Sequence, residues 1–588
     1  MTGLIFVVQA CATESVMKSN FKSFLYLSLI LIFVALPSYS QDLVSVDRLW
    51  NEGIEVPVGG RANILNLDPV NQANYIRRGK LHAQIYPVEV TAALPPLRPL
   101  ENFFESRGSN PFQLILKFLG ESFTGIHSMD DLTSNLGLHP YPAATDTGVY
   151  SVPYPSTDRP DYRLGFGVIP RSGVDGFTFS CAACHSGNLF GKTVLGLPNR
   201  FPHANEYFVK MIDLSPKLKP LIGTWIFQQA TKATPAENKL FLDTLTALDQ
   251  VVAVKPIAVG LDTTFAQISL SLNKRNDDEW ATPNKTKQLF PDKDVFFPVH
   301  PADSKPGVWW TTKYKNRWLS DGSIVSGNPI ITNLLWNEIG RGTDLKILNQ
   351  WIQNNPQKID ELSAMVFASE SPRFTDFFTE NQIDVLSAKR GEGLFNTTCA
   401  KCHGQYEKAW SQPGSEKLSI TEQIRTTQVN YPKKTEVMDV GTDPNRYLGM
   451  KSLEKLNNLR ITRDYGIRHV AQVGYVPPPL EGIWARWPYF HNNAAPTLCA
   501  VLTATASRPK TYYAGEANNT ARDFDADCNG YPTGDMIPPE WKTANMLYDT
   551  SKEGLHNTGH DERIFIKNGV EILSAADKKD LIRFLQTL

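Results

Sequence analysis

Two five-residue stretches carry the clearest chemistry in this chain, Cys181-Ala182-Ala183-Cys184-His185 and Cys399-Ala400-Lys401-Cys402-His403. Both read Cys-x-x-Cys-His. Thiols three residues apart lie on one face of a helical turn. From there both reach the vinyl groups of one porphyrin, and the imidazole that follows falls beneath the iron as its proximal ligand. With 7 Cys and 11 His in 588 residues, one accidental match has odds of roughly 1 in 600, so two accidents are dismissed. A zinc site built from the two Cys-x-x-Cys pairs is the competing arrangement. The expectation is two covalent c-type haems, one on Cys181 and Cys184 over His185, the other on Cys399 and Cys402 over His403.

The remainder of the composition bounds the setting. A chain of 588 residues has room for two or three domains. Its net charge of -1, with 20% charged and 41% hydrophobic residues, points to neither nucleic acid nor disorder. Lys18 and Lys22 precede an apolar run from Phe24 to Leu36, followed by Pro37-Ser38-Tyr39-Ser40-Gln41. That is the layout of a secretory signal peptide over residues 1–40, with Met17 a more natural start than Met1. The run is short for a membrane span, so no stable span is expected after cleavage, with an uncleaved anchor as the alternative. Periplasmic or secreted localisation suits haem attachment, which takes place outside the bacterial cytoplasm. With four cysteines on haem and Cys11 lost with the leader, Cys499 and Cys528 remain. In an oxidising compartment they read as a disulfide, against two buried thiols.

The elements that must position these groups are mainly α. The expected architecture is two cytochrome c-like haem domains, residues 41–380 and 381–588, with long loop-rich extensions and few short strands. Helical periodicity shows at Pro111–Leu119 and through residues 205–272. The first motif follows the Gly-punctuated run Gly165 to Gly176, and Gly187–Gly191 with Gly196–Asn199 reads as a loop over a haem edge. Trp309, Trp310 and Trp318 cluster. Such residues are core packing or, near haem, the wall of a distal pocket, and Trp310 is taken as a catalytic candidate. Ile383 to Phe395 reads as an amphipathic helix running into Cys399, with Ser387 marking a cap or turn inside it. At the C-terminus Ser574 and Asp577 form a capping box, and Leu581, Phe584, Leu585 and Leu588 form one stripe.

The segment Gly474 to Leu498, with Pro479-Leu480-Glu481-Gly482-Ile483-Trp484-Ala485 and Pro488-Tyr489-Phe490-His491-Asn492 at its centre, resembles one found in bacterial di-haem enzymes. These are the di-haem cytochrome c peroxidases, the enzyme that matures methylamine dehydrogenase, and the di-haem rubber oxygenases. The last branch also shares Tyr86 to Thr91, Trp309 to Lys313, Val440 to Pro444 and Asn557 to His560. This chain departs at Asn493, where Gly is usual, and at Arg486-Trp487, where small residues are usual. For the His403 haem the sixth-ligand candidates are His560, His491, Met438, Met450 and Tyr512, and spacing alone does not choose. The resemblance implies His560, with His491 a pocket histidine near the haems. For His185, the histidines to exclude are His203, His127 and His139, which leaves that haem open and reactive. A haem with two strong axial ligands passes electrons, and one with an open position binds oxygen or peroxide. Expected partners are a small or hydrophobic organic substrate with dioxygen or peroxide, and a small electron-donor protein. The functions in play are an oxygenase on an alkene-type substrate, a di-haem peroxidase, and a non-catalytic electron carrier. Length favours an enzyme, since a carrier needs only about a hundred residues per haem domain.

Overall fold

In the computed structural model the helices Val385–Thr398 and Ala575–Leu585 cross at very close range. Asp384 caps the first by accepting from the Ser387 amide, and Ser574 and Asp577 form a reciprocal capping box on the second. The cap therefore lies three residues before Ser387, which sits within the helix with its hydroxyl donating to Asp580. Gly391 makes the crossing, since a Cβ there would lie 2.0 Å from the Asp580 carbonyl oxygen. Arg390 grips the Asp580 carboxylate through two hydrogen bonds, and Phe395 packs on Phe584 at 5.1 Å.

The structure describes residues 49–105, 126–275, 280 and 301–588. The signal peptide over 1–40 and the helical pattern at Pro111–Leu119 lie outside them. Among the described residues there are 18 α-helices, and every sheet has only two short strands. The protein is mainly α with long loops. No helix among these residues is long and apolar enough to cross a membrane.

Around the first motif the Gly-punctuated stretches form two antiparallel hairpins. Phe166–Arg171 pairs with Val174–Phe179 ahead of the motif, and Ser186–Leu189 pairs with Lys192–Leu195 after it. Between them Cys181–Cys184 is a single helical turn. Gly165, at φ +105°, lets its strand touch that turn, since a Cβ would stand 2.8 Å from the Ala183 nitrogen. Helices Ala204–Leu218, Leu221–Thr231, Pro235–Leu248 and Thr264–Lys274 fill the region that reads as helical.

Residues Trp50–Leu588 form one compact unit. Strand Ile324–Ser326 pairs with Arg468–His469, and one buried apolar cluster takes members from Leu189 to Leu588. Cys499 and Cys528 are joined as a disulfide with their Cα atoms 5.0 Å apart.

Candidate functional site

The second Cys-x-x-Cys-His sits at the end of the crossing helix. Cys399 ends Val385–Thr398 and opens the turn Ala400–His403, whose last amide donates to the Cys399 carbonyl at 3.1 Å. His403 Nδ1 lies 2.8 Å from the Pro478 carbonyl oxygen. A carbonyl only accepts, so Nδ1 carries the proton and Nε2 is left with its lone pair, the tautomer that a metal-binding imidazole requires. Pro478 belongs to the Gly474–Leu498 segment, so that segment orients His403. Tyr406 reinforces the arrangement by donating to the His403 carbonyl at 3.0 Å.

Facing His403 is His560, the ring centroids 6.2 Å apart and the planes at 55°. A metal–nitrogen bond of about 2 Å on each side, with about 1 Å more to each ring centre, spans about 6 Å. The gap therefore fits one iron between two imidazoles. His560 is placed by two sequence motifs that meet: its amide donates to the Val440 carbonyl at 2.8 Å, and Gly559 presses on Gly441 and Thr442. His560 itself is held at φ +62°, a conformation His tolerates better than most residues. The Val501 carbonyl favours its protonated form, yet Nδ1 is buried without a well-formed hydrogen bond. Of the other sixth-ligand candidates, Tyr512 commits its hydroxyl to the Asn493 carbonyl at 2.7 Å. Met438 exchanges main-chain bonds with Tyr475, and Met450 is fully buried.

The first motif repeats the proximal device. His185 Nδ1 lies 2.9 Å from the Gly307 carbonyl, which again leaves Nε2 free to ligate. The His185 ring lies 5.3 Å from Trp309. Trp310 is fully buried elsewhere, its indole N–H donating to the Glu481 carbonyl at 2.8 Å. No second imidazole makes a ring pair with His185 among the described residues. His203 is bound to Glu206 at 2.7 Å, His139 faces Glu516 at 3.7 Å, and the His127 amide donates to Asp131.

His491 makes no ring pair with either proximal histidine among the described residues. Its ring stacks on Tyr475 at 4.0 Å, with Nε2 3.0 Å from the Tyr475 hydroxyl. Trp309, from the tryptophan cluster that the sequence marks, is the one beside His185, whereas Tyr475 and the Pro478 and Gly307 carbonyls escape sequence reasoning. Tyr475 and Pro478 stand inside the segment that carries the resemblance, whereas Gly307 has no local signal.

Electrostatics favour neutral ligands throughout. Burial pushes His185 down to about 4 and, with the facing His403, His560 down to about 3. Burial also lowers His403 against its bond to Pro478. An imidazole must be neutral to ligate. The thiols move the other way: burial raises Cys181 to about 11, and Cys184 and Cys399 to about 12. Among the described residues no three His, Cys, Asp or Glu side chains converge as metal ligands, so the two Cys pairs do not share one tetrahedral site.

Two uncharacterized proteins of Sinorhizobium fredii (strain NBRC 101917 / NGR234) are related to this chain. Protein y4iM is 26% identical over 273 residues, covering 40% of this chain and 56% of its own length. Protein y4iJ is 35% identical over 128 residues, covering 21% of this chain and 19% of its own length. Residues 474–513, the stretch that holds the His403 imidazole and carries Tyr475 and His491, match the RoxA-like, cytochrome c-like family, which implies a c-type haem with iron and a haem-type oxidoreductase.

Proposed function

We propose that this chain is an exported di-haem c-type oxidoreductase acting with dioxygen or peroxide on a hydrophobic, alkene-type organic substrate. In this reading residues 41–380 carry the reactive haem on Cys181, Cys184 and His185. Residues 381–588 carry an electron-handling haem between His403 and His560. When bound, a haem with an open axial position reacts with dioxygen or peroxide, and one with two imidazoles exchanges electrons.

The observation that supports this division is the contrast between the two proximal histidines. His403 has a second imidazole across a gap that fits an iron, whereas the ring beside His185 is the indole of Trp309, which cannot ligate. The Gly307 and Pro478 carbonyls hold the Nδ1 protons. Trp309 covers one side of the His185 ring and excludes water there. His491 is held neutral by burial; because the Tyr475 hydroxyl donates its proton to the Asp443 carbonyl, His491 Nε2 carries the proton and donates to the Tyr475 oxygen.

The deciding experiment is spectroscopy on the isolated protein. Haem staining and intact mass should give two covalent haems, one low-spin six-coordinate and one high-spin with an exchangeable position that responds to peroxide or, when reduced, to dioxygen. Two inert low-spin haems would make the chain an electron carrier. A response to peroxide alone, with no oxygen consumed on an alkene polymer, would make it a peroxidase.

A further inference from the structure

Three cations, Arg200 buried and Lys305 and Arg486 half-buried, converge on one pocket between the two haem-attachment segments, and no carboxylate lines it. Arg200, Lys305, Arg486, Trp487 and Asn493 are among its walls. Arg200 donates to the main-chain carbonyls of Trp487 and Asn188, both at 2.8 Å, and of Ala485 at 3.1 Å. Its guanidinium lies 3.9 Å over the Trp487 ring. Lys305 Nζ donates to the Pro488 and Arg486 carbonyls. Arg486 donates to the Pro479 carbonyl at 2.8 Å. All of these partners are dipoles, and none supplies a negative charge.

The acids nearest the pocket are engaged elsewhere. Glu516, which acts on Arg200, faces His139 at 3.7 Å. Glu481, which acts on Arg486, is held by Lys313 at 3.2 Å and by the Tyr314 hydroxyl at 2.7 Å. Burial pulls Lys305 well below the usual lysine range, and Arg486 and Arg200 add to that. Clustering like charges partly out of water is unfavourable, and an anion that completed the site would offset that cost.

The pocket walls indicate where such an anion would come from. The Asn199 amide donates to the Cys184 carbonyl at 2.9 Å, and the Gly196 amide to the His185 carbonyl at 2.7 Å, so the wall ending in Arg200 is tied to the first motif. The Arg486 wall bonds Pro479, next to the Pro478 carbonyl that holds His403. We infer that Arg200, Lys305 and Arg486 form a cationic seat for haem propionate carboxylates, placed where charge on it acts on both haems. The inference rests on the di-haem reading. It is particular to this chain, because Arg486 and Trp487 stand where the resembling enzymes have small residues. It also gives those departures a use: Arg486 supplies charge, and Trp487 supports the Arg200 guanidinium.

Positive charge beside a propionate stabilises the reduced, less positive iron centre, so its removal lowers the reduction potential. The test is spectroelectrochemical titration of the haem-loaded protein and of Lys305→Met, Arg486→Leu and Arg486→Lys. At the wild-type midpoint of the His403 haem, Arg486→Leu and Lys305→Met should each lower the reduced-to-oxidised ratio about tenfold, or 59 mV for one electron. Arg486→Lys should stay within about twofold of wild type, and all variants should carry two haems. Should Arg486→Leu fail to fold, Lys305→Met carries the same reading. The inference is overturned if both charge-removing variants load two haems and leave both potentials in place, or if Arg486→Lys falls as far as Arg486→Leu. It is also overturned if saturating inorganic phosphate shifts the wild-type potentials as far as the variants do, since the pocket would then take a free anion. A wild-type haem count of one overturns the underlying reading instead.

Discussion

The imidazoles of His403 and His560 face each other with centroids 6.2 Å apart and planes at 55°, although 157 positions separate them in the chain. Each is fixed from behind by main chain. Pro478 holds the His403 Nδ1 proton, and Val440 holds the His560 amide. The pair is therefore set by two loops rather than by one element, and each loop offers a separate handle.

Replacing His560 with Ala should remove the low-spin electron-paramagnetic signal of the His403 haem and leave a species that takes up exogenous imidazole. His491→Ala should preserve that signal, because the His491 ring is stacked on Tyr475. The reverse pattern would make His491 the ligand.

Two glycines in one helix should respond oppositely to alanine. At Gly391 a Cβ would stand 2.0 Å from the Asp580 carbonyl, whereas at Gly393 it meets nothing within 4 Å. Gly391→Ala forces the crossing helices apart and should cost about 2–4 kcal/mol, as overpacking against backbone does. Gly393→Ala, at an exposed helical site, should gain about 0.5–1 kcal/mol. Chemical unfolding of the two variants decides this. Equal effects would mean that the helices do not approach as described.

The Cys499–Cys528 bridge closes a separation of 29 residues, and the chain-entropy relation assigns such a loop about 3–4 kcal/mol. Non-reducing peptide mapping should recover the two peptides linked. Replacing both cysteines with Ala should lower stability by roughly that amount without changing the haem count. Recovery of both as alkylated thiols would rule the bridge out.

What could be read from the sequence was local. The Cys-x-x-Cys-His turns, the Ser574–Asp577 box and the helix leading into Cys399 are each set by residues a few positions apart, where capping and helical spacing operate. The hairpins around Cys181–Cys184 were hidden because their glycines read as loop punctuation, while their pairing of Phe166 with Phe179 depends on packing across the turn. The contact between Gly559 and Gly441, the hold of Gly307 on His185 and the convergence of Arg200 on Trp487 join distant residues through main-chain atoms, which leave no trace in residue type. His560 was reachable only by resemblance, since Met438, Met450 and Tyr512 satisfy the same chemical requirement until the fold brings the His560 ring opposite His403.

Lys408 gives the chain a pH dependence of definite sign. It is fully buried, and its amine donates to the Thr587 carbonyl at 2.7 Å and to the Thr426 hydroxyl at 2.9 Å. Burial pushes it down to about 7, opposed only by Glu392, whereas an unfolded lysine titrates near about 10.4. Between about pH 7 and 10 the unfolded chain therefore binds a proton that the folded chain has released. Stability then rises with pH across that window, by up to about 1.4 kcal/mol per pH unit. Below about 7 the amine is protonated in both states, and the contribution is flat. Lys408→Met removes the group and should flatten the rise relative to wild type, as measured by denaturant midpoints at several pH values from 7 to 10. Parallel pH profiles for the two proteins would show that Lys408 stays charged in the folded state, with Trp410, 5.4 Å away, and the Thr587 carbonyl compensating its burial.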